Sequence, residues 1–121
     1  MQENPSFGDI FFAELQGDGH IQNGRRPVVI VQNNIGNKYS PTVEVLPISS
    51  QIEKAKMKHL PTQVFICADR RNGLTKDSVV LGEQPTTINR TQLFNRVGNL
   101  DYNDLIRVGK ARSIQSPFPL S

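Results

Sequence analysis

The sequence contains little of the material on which several classes of protein depend. Cys67 is the single cysteine among 121 residues, so an internal disulfide is impossible, and a small chain without disulfides is typical of a reducing compartment. The two histidines, His20 and His59, belong to no zinc-ligand spacing, and the glycine-rich pattern of a phosphate loop is absent. We therefore expect neither a metal nor a cofactor.

Long apolar runs are also lacking. No stretch approaches the ~18 residues that span a bilayer. Residues 1–5 have neither the basic nor the apolar segment of a signal peptide. These absences predict a cytoplasmic protein that has no membrane partner.

Positive charge is in modest excess. Fourteen Lys and Arg residues against eleven Asp and Glu residues give a formal net charge of +3, which permits a polyanionic partner without requiring one. The length corresponds to one domain, and no repeat or linker divides it, so residues 1–121 are predicted to form a single domain. The hydrophobic fraction of 36% is normal for a small barrel or for a dimer.

Short apolar segments separated by turn residues predict a mainly β fold. The predicted strands are residues 10–15, 28–31, 42–48, 63–67 and 78–81, with a further short extended piece at 86–88. Helical patterns cover residues 51–57, one or two turns within 90–96, and an amphipathic C-terminal helix over 102–114 that begins after Asp101. Together they predict a small β-barrel of five to seven strands with helical additions and a C-terminal α-helix.

The remaining segments are predicted as connections. Residues 16–24, with three glycines, form a flexible loop, and residues 33–41 form a turn-rich connection. Cys67, at the end of an apolar strand, is expected to be a small buried side chain. The proline-containing tail at 116–121 is not helical, and it either packs on the barrel or is disordered.

Two arginines mark the first candidate site. Arg25 and Arg26 precede a buried strand and follow the glycine-rich loop, so they lie where a rigid scaffold presents loop chemistry. The guanidinium fork matches phosphate oxygens, which suits a phosphodiester ligand. The alternative is an exposed turn with two solvated arginines.

Two further segments carry polar groups at strand ends. Ser49, Ser50 and Gln51 follow the third strand, where their side chains either contact a ligand or form the N-cap of the next helix. Glu83 and Gln84 follow a buried strand, where they either contact nucleic-acid base edges or serve as turn residues. Taken singly, none of the three segments decides the function.

In order and spacing, the segments resemble the MazF/PemK family of toxin endoribonucleases. The resemblance extends from Gly8 to about Leu100. The segments that carry it are Gly8-Asp9-Ile10, Arg26-Pro27-Val28-Val29-Ile30, the stretch from Gln32 to Thr42, Pro47-Ile48-Ser49-Ser50, Leu60-Pro61-Thr62-Gln63-Val64, Gly73-Leu74-Thr75-Lys76-Asp77-Ser78-Val79 and Glu83-Gln84-Pro85-Thr86-Thr87-Ile88.

The resemblance implies an SH3-like, CcdB/Kid-type barrel that forms a homodimer. It implies metal-independent cleavage of single-stranded RNA at a short sequence, by attack of the RNA's own 2′-hydroxyl, leaving a 2′,3′-cyclic phosphate and a 5′-hydroxyl. It also implies a cognate antitoxin with an acidic, partly disordered segment, which a basic surface would favour.

The resemblance also assigns roles to residues. Arg26 matches the family's catalytic arginine, and Ser49 keeps the hydroxyl of the family's strand-end threonine. The predicted RNA-binding residues are His20, Gln22, Arg25, Ser50, Gln51, Glu83 and Gln84. In the glycine-rich loop, His20-Ile21 departs from the usual family sequence, and His20 either assists proton transfer near neutral pH or is a solvated loop side chain.

Two other functions stay open at this stage. A DNA gyrase poison can use the same barrel, with interaction determinants at its C-terminus and no need for Arg26 or Ser49. A non-catalytic RNA-binding barrel is the third possibility.

Overall fold

A computed structural model describes residues 4–17, 24–58 and 60–115. The strands in this part of the chain are β1 (Asp9–Leu15), β2 (Gly24–Ile30), β3 (Thr42–Ser49), β4 (Gln63–Ile66), β5 (Ser78–Leu81), β6 (Thr86–Asn89) and β7 (Leu93–Asn99). The α-helices are α1 (Asn34–Tyr39), α2 (Ile52–Lys58) and α3 (Tyr102–Gln115). The predicted class, mainly β with a C-terminal helix, is confirmed. His20, Gln22, His59 and the tail at 116–121 lie outside the described residues.

The strands pair antiparallel throughout the described ladders, in the order β4-β5-β3-β2-β1-β7, with β6 also paired to β3. Strand β3 has several partners along its length. Its first half, Thr42 to Val45, pairs with β6, whereas Ile48 and Ser49 pair with β5. On its other side it pairs with β2. β3 therefore joins the two halves of a barrel-like sheet.

Alternation along the strands divides the core between the two faces of the sheet. On one face, Leu46 and Ile48 belong to a cluster that includes Val108 and Ala111 of α3. On the other face lies a second cluster, which consists of Phe11, Ala13, Leu15, Val28, Ile30, Val43, Val45, Ile88 and Leu93. A third, smaller cluster lies under α2, where Ala55 packs against Val79 and Leu81 of β5.

The prediction of helical turns at 90–96 is wrong for most of that segment. A single 3-10 turn occupies Arg90–Gln92, in which the Asn89 amide donates to Gln92 Oε1 at 2.8 Å, and the chain then continues as β7. Leu93 pairs with Ala13 of β1 and is buried. Pairing with β1 and burial of Leu93 override a weak local helix preference.

Two smaller expectations are also wrong. The connection at 33–41 contains α1, because the Asn33 side chain accepts the Gly36 amide at 2.8 Å and caps a short helix. Cys67 is exposed, because alternation along this segment buries Val64 and Ile66 and leaves Phe65 and Cys67 on the outer side. The predicted start of the C-terminal helix is confirmed, since Asp101 Oδ1 accepts the Asp104 amide at 2.8 Å.

Candidate active site

The two arginines lie within a strand, not in the loop before it. Strand β2 begins at Gly24, four residues earlier than predicted, and Gly24 has a φ of +82°, which favours glycine. Arg25 pairs with Glu14 of β1, and Arg26 pairs with Ala13. Because neighbouring strand residues project to opposite faces, the two arginine side chains point to opposite sides of the sheet.

Two prolines mark the end of the ladder between β2 and β3. The last pair is Val28 with Pro47, and Pro27 comes next on β2. Proline has no backbone N–H to donate, so neither proline can extend the ladder as a donor. Arg26 and Ser49, just beyond the two prolines, do not take part in β2–β3 pairing, but each is paired with the strand on its other side. Arg26 pairs with β1, and Ser49 pairs with Val79 of β5.

The register gives Arg26 and Ser49 equivalent positions on their two strands. Arg26 lies two residues before Val28, and Ser49 lies two residues after Pro47, so each has the same orientation as the last paired residue on its strand. The two side chains therefore share one face of adjacent strands, at equivalent positions past the end of the ladder. These are the two residues for which a catalytic role was predicted.

Ser49 is held firmly in this position. The residue is 5% exposed, and its Oγ accepts a hydrogen bond from the Gln51 amide at 3.1 Å. A hydroxyl that accepts one bond still has its proton to donate. Since α2 begins only at Ile52, Ser49 stabilises the turn that leads to the helix and is not its N-cap. Ser50 and Gln51 follow it and are exposed.

The setting of the arginine–serine pair is apolar. Ala13 and Val28, next to Arg26, belong to the core cluster on that face, and Val79, next to Ser49, belongs to the cluster under α2. A charged group beside such clusters interacts more strongly with an opposite charge than it does in bulk water. A protonated guanidinium and a hydroxyl donor in this position suit the oxygens of a phosphodiester.

Glu83 has a different environment from the one predicted. Its carboxylate accepts hydrogen bonds from Thr62 Oγ1 at 3.1 Å and from Gln63 Nε2 at 2.7 Å. Gln63 Oε1 is buried and has no hydrogen-bond partner. Sequence reasoning gave no role to Thr62 or Gln63, because their contact with Glu83 depends on pairing between β4 and β5. Gln84 lies in the turn after β5, where its amide donates to the Leu81 carbonyl at 3.1 Å.

Arg25 also has a partner that sequence reasoning missed. Its guanidinium lies over the ring of Phe94, with 3.9 Å between Cζ and the ring centroid. Phe94 is on β7, in the segment that was predicted to be helical. No local pattern in the sequence indicates this contact, since it requires β2 and β7 to flank β1.

Within residues 4–17, 24–58 and 60–115, no group of three or more His, Cys, Asp or Glu side chains is arranged to hold a metal ion. In the same part of the chain, no helix has the length and apolar character needed to cross a membrane.

Fold and site together define a small, mainly β protein that carries an arginine–serine pair at adjacent strand ends. Residues 6–114 match the family described as PemK-like, MazF-like toxins of type II toxin–antitoxin systems. The chain belongs to this family.

Two curated relatives are 44% identical to the chain over 108 residues, which is 88% of its length. One is the endoribonuclease EndoA of Bacillus subtilis (strain 168), of which 90% is covered. The other is the endoribonuclease MazF of Staphylococcus epidermidis, of which 87% is covered.

Solved structures agree with the fold. The Mycobacterium tuberculosis toxin MazF-mt6 superposes with a TM-score of 0.74 at 24% identity, covering 91% of this chain and 97% of that one. A MazE–MazF complex from Deinococcus radiodurans gives a TM-score of 0.69 at 22% identity, covering 93% of this chain and 96% of that one.

Proposed function

We propose that this toxin-family protein is an endoribonuclease that cuts single-stranded RNA at a short sequence without a metal ion. The observation that carries the proposal is the placement of Arg26 and Ser49 on one face, just past the end of the β2–β3 ladder. The endoribonuclease names of the two curated relatives support the same activity.

The proposed reaction uses a nucleophile that the substrate brings. The 2′-hydroxyl of one nucleotide attacks the adjacent phosphorus and loses its proton as the new O–P bond forms. The bond from phosphorus to the 5′-oxygen breaks, and that oxygen takes up a proton. The products are a 2′,3′-cyclic phosphate and a 5′-hydroxyl, so no covalent enzyme intermediate is required.

Arg26 is proposed to stabilise the negative charge that grows on the phosphorus oxygens in the transition state. Its guanidinium keeps its proton, so it acts as a charge and a donor and not as a base. Ser49 is proposed to donate a hydrogen bond to one of the same oxygens. His20, which belongs to the loop outside the described residues, stays a predicted RNA-binding residue, and its role in proton transfer is not part of this proposal.

Among the other predicted RNA-binding residues, Ser50 and Gln51 are exposed directly after Ser49, and we assign them to the nucleotides that flank the cut. Gln84 is a further proposed contact, and Gln22 stays a prediction outside the described residues. Glu83 is proposed to support this turn, because its carboxylate already accepts two hydrogen bonds.

The partners proposed for this cytoplasmic toxin are a second copy of the chain and an antitoxin. The Deinococcus radiodurans MazF in the superposed complex is bound to MazE. The net charge of +3 favours an antitoxin that presents an acidic, partly disordered segment.

The test is to incubate the purified protein with a long single-stranded RNA in EDTA and to map the products. Cuts at one short sequence, with cyclic-phosphate and 5′-hydroxyl ends, are expected. The Arg26→Ala variant, purified in parallel, controls for contaminating ribonuclease, which would cut equally in both preparations.

The other outcomes contradict the proposal in different ways. Intact RNA together with inhibited DNA supercoiling would identify a gyrase poison. RNA that is bound without being cut would identify a binding barrel. Cleavage that EDTA abolishes would show that the reaction depends on a metal.

A further inference from the structure

The arginine that precedes Arg26 is tied to a distant strand. Arg25 on β2 and Phe94 on β7 are separated by β1, so their backbones are about 10 Å apart at the usual strand spacing. The Arg25 side chain nevertheless reaches across β1 to place its guanidinium 3.9 Å from the centroid of the Phe94 ring. This distance lies well within the limit of about 6 Å for a cation–π interaction.

The Arg25 guanidinium stacks on Phe94 although a nearer charged residue is available. Glu14 is the direct cross-strand neighbour of Arg25 on the same face, where an ion pair would be the simple expectation. The guanidinium instead lies over Phe94, which is 36% exposed. An arginine that is stacked on a ring loses much of the freedom of a solvated side chain.

This contact lies on the side of the sheet opposite the proposed site. Ala13 pairs with Arg26 on one side and with Leu93 on the other, so these three residues share the face of the site. Phe94 follows Leu93 on β7, and Arg25 precedes Arg26 on β2. Both side chains therefore project to the opposite face of the sheet. Direct contact of Arg25 with the phosphate held by Arg26 is therefore disfavoured by the geometry.

The part of β2 that carries Arg26 lacks the support of β3. The β2–β3 ladder stops at Val28, so residues 24–27 of β2 pair with β1 alone. At this point β2 is therefore an edge strand, whereas β1 is also paired with β7 through Ala13 and Leu93. The gap between Arg26 and Ser49 consequently depends on how the edge strand β2 is held against its neighbours.

We infer that the Arg25–Phe94 stack is a positioning device, which ties the edge strand β2 across β1 to β7 and thereby sets Arg26 against Ser49 for catalysis. Arg25 and Phe94 act as positioning residues in this inference, since both project to the face opposite Arg26. This inference rests on the proposed ribonuclease function. Small displacements of a catalytic group are costly, because a misplacement of about 1 Å can lower a rate by about 100-fold.

The test compares the chemical step with RNA affinity. Single-turnover cleavage is measured at saturating RNA, and affinity is measured with an RNA that carries a 2′-deoxynucleotide at the cut and so cannot be cleaved. For Phe94→Leu and for Arg25→Gln we expect the single-turnover rate to fall about tenfold, with affinity within about twofold of wild type. Phe94→Tyr, which keeps the ring, should restore the rate.

The double variant and matched controls sharpen the result. If the two residues act as one unit, Arg25→Gln combined with Phe94→Leu should be no slower than either single variant. Phe7→Leu and Arg70→Gln alter an exposed phenylalanine and an exposed arginine elsewhere, and both should cleave at the wild-type rate. Thermal melting confirms that each variant is folded.

Three outcomes would overturn the inference. Weaker affinity with an unchanged saturated rate would make Arg25 an RNA contact. Unchanged rate and affinity in both single variants would reduce the stack to a surface contact. Independent, multiplicative losses in the double variant would show that the residues do not act together. A wild-type protein that cleaves no RNA would instead overturn the proposed function itself, so the two failures are distinguishable.

Discussion

Two groups of polar side chains at strand ends are built in opposite ways. Ser49 accepts one bond from its own chain and keeps a proton to donate, and it shares a face with Arg26 past the end of a ladder. Glu83, by contrast, accepts a hydrogen bond at each carboxylate oxygen, one from Thr62 and the other from Gln63. This difference supports the proposal that the arginine–serine pair faces a ligand, whereas Glu83, Thr62 and Gln63, here called the Glu83 group, bond to one another within the fold.

Removing the guanidinium of Arg26 is expected to have the largest effect on activity. We expect Arg26→Ala to lower the cleavage rate at least ~100-fold, which corresponds to about 2.7 kcal/mol of transition-state stabilisation. The melting temperature should stay within a few degrees of wild type, since the core on either side is apolar and intact. The measurement is the single-turnover rate on RNA, together with a thermal melt.

Arg26→Lys is the informative companion, because it keeps the charge and loses the fork. Its rate should lie between those of wild type and Arg26→Ala. A loss of less than tenfold in Arg26→Ala would contradict the catalytic role.

A substitution in the Glu83 group should lower the stability of the protein. Glu83→Ala leaves the donors of Thr62 and Gln63 without an acceptor, and Thr62 is buried, so we expect the free energy of unfolding to fall by about 2 kcal/mol. Denaturant unfolding at fixed protein concentration measures the loss. RNA affinity of the folded fraction should change little.

Glu53→Ala is a matched control, because that glutamate lies on α2 with a side chain 86% exposed. Its effect should stay within about 0.5 kcal/mol. Unchanged stability in Glu83→Ala, combined with weaker RNA binding, would instead make Glu83 a contact to RNA.

These contrasts show what sequence alone can predict. Strands β1 to β6, apart from the first residues of β2, and the C-terminal helix with its Asp101 cap follow from apolar periodicity and local hydrogen bonding, which nearby residues determine. Arg26 and Ser49 could be singled out because their motifs match a family. The Glu83 group and the Arg25–Phe94 stack could not be found, since both depend on which strands become neighbours. Phe94 was wrongly predicted to be helical. Its strand conformation depends on the pairing of β7 with β1, which no local sequence pattern indicates.

Ser49 provides a smaller test of the ligand-facing group. We expect Ser49→Ala to lower the saturated cleavage rate about tenfold, or about 1.4 kcal/mol, as one donated hydrogen bond is lost in the transition state. Ser49→Thr should recover most of the rate, because it restores the hydroxyl. Ser113→Ala, on the exposed side of α3, controls for loss of a hydroxyl far from the site. Equal rates for wild type and Ser49→Ala would mean that Ser49 only supports the turn before α2.

The smallest effect is expected at Gly109 in α3, a residue with no proposed part in either polar group. Gly109 lies inside this helix, where glycine costs up to about 1 kcal/mol relative to alanine, and an added Cβ would meet no atom within 4 Å. Gly109→Ala should therefore raise the free energy of unfolding by about 0.5–1 kcal/mol and leave cleavage unchanged.

Gly73 is the matched glycine for this experiment. Its φ is +70°, and an added Cβ would lie 2.2 Å from the Val97 carbonyl oxygen, so Gly73→Ala should destabilise the protein. The two substitutions are thus expected to change the free energy of unfolding in opposite directions, because the two glycines differ in backbone geometry and in the space around them. Slower cleavage or weaker antitoxin binding in Gly109→Ala, despite a more stable fold, would show that the exposed side of α3 takes part in function. α3 would then belong with the functional part of the molecule, and not only with the part that stabilises the fold.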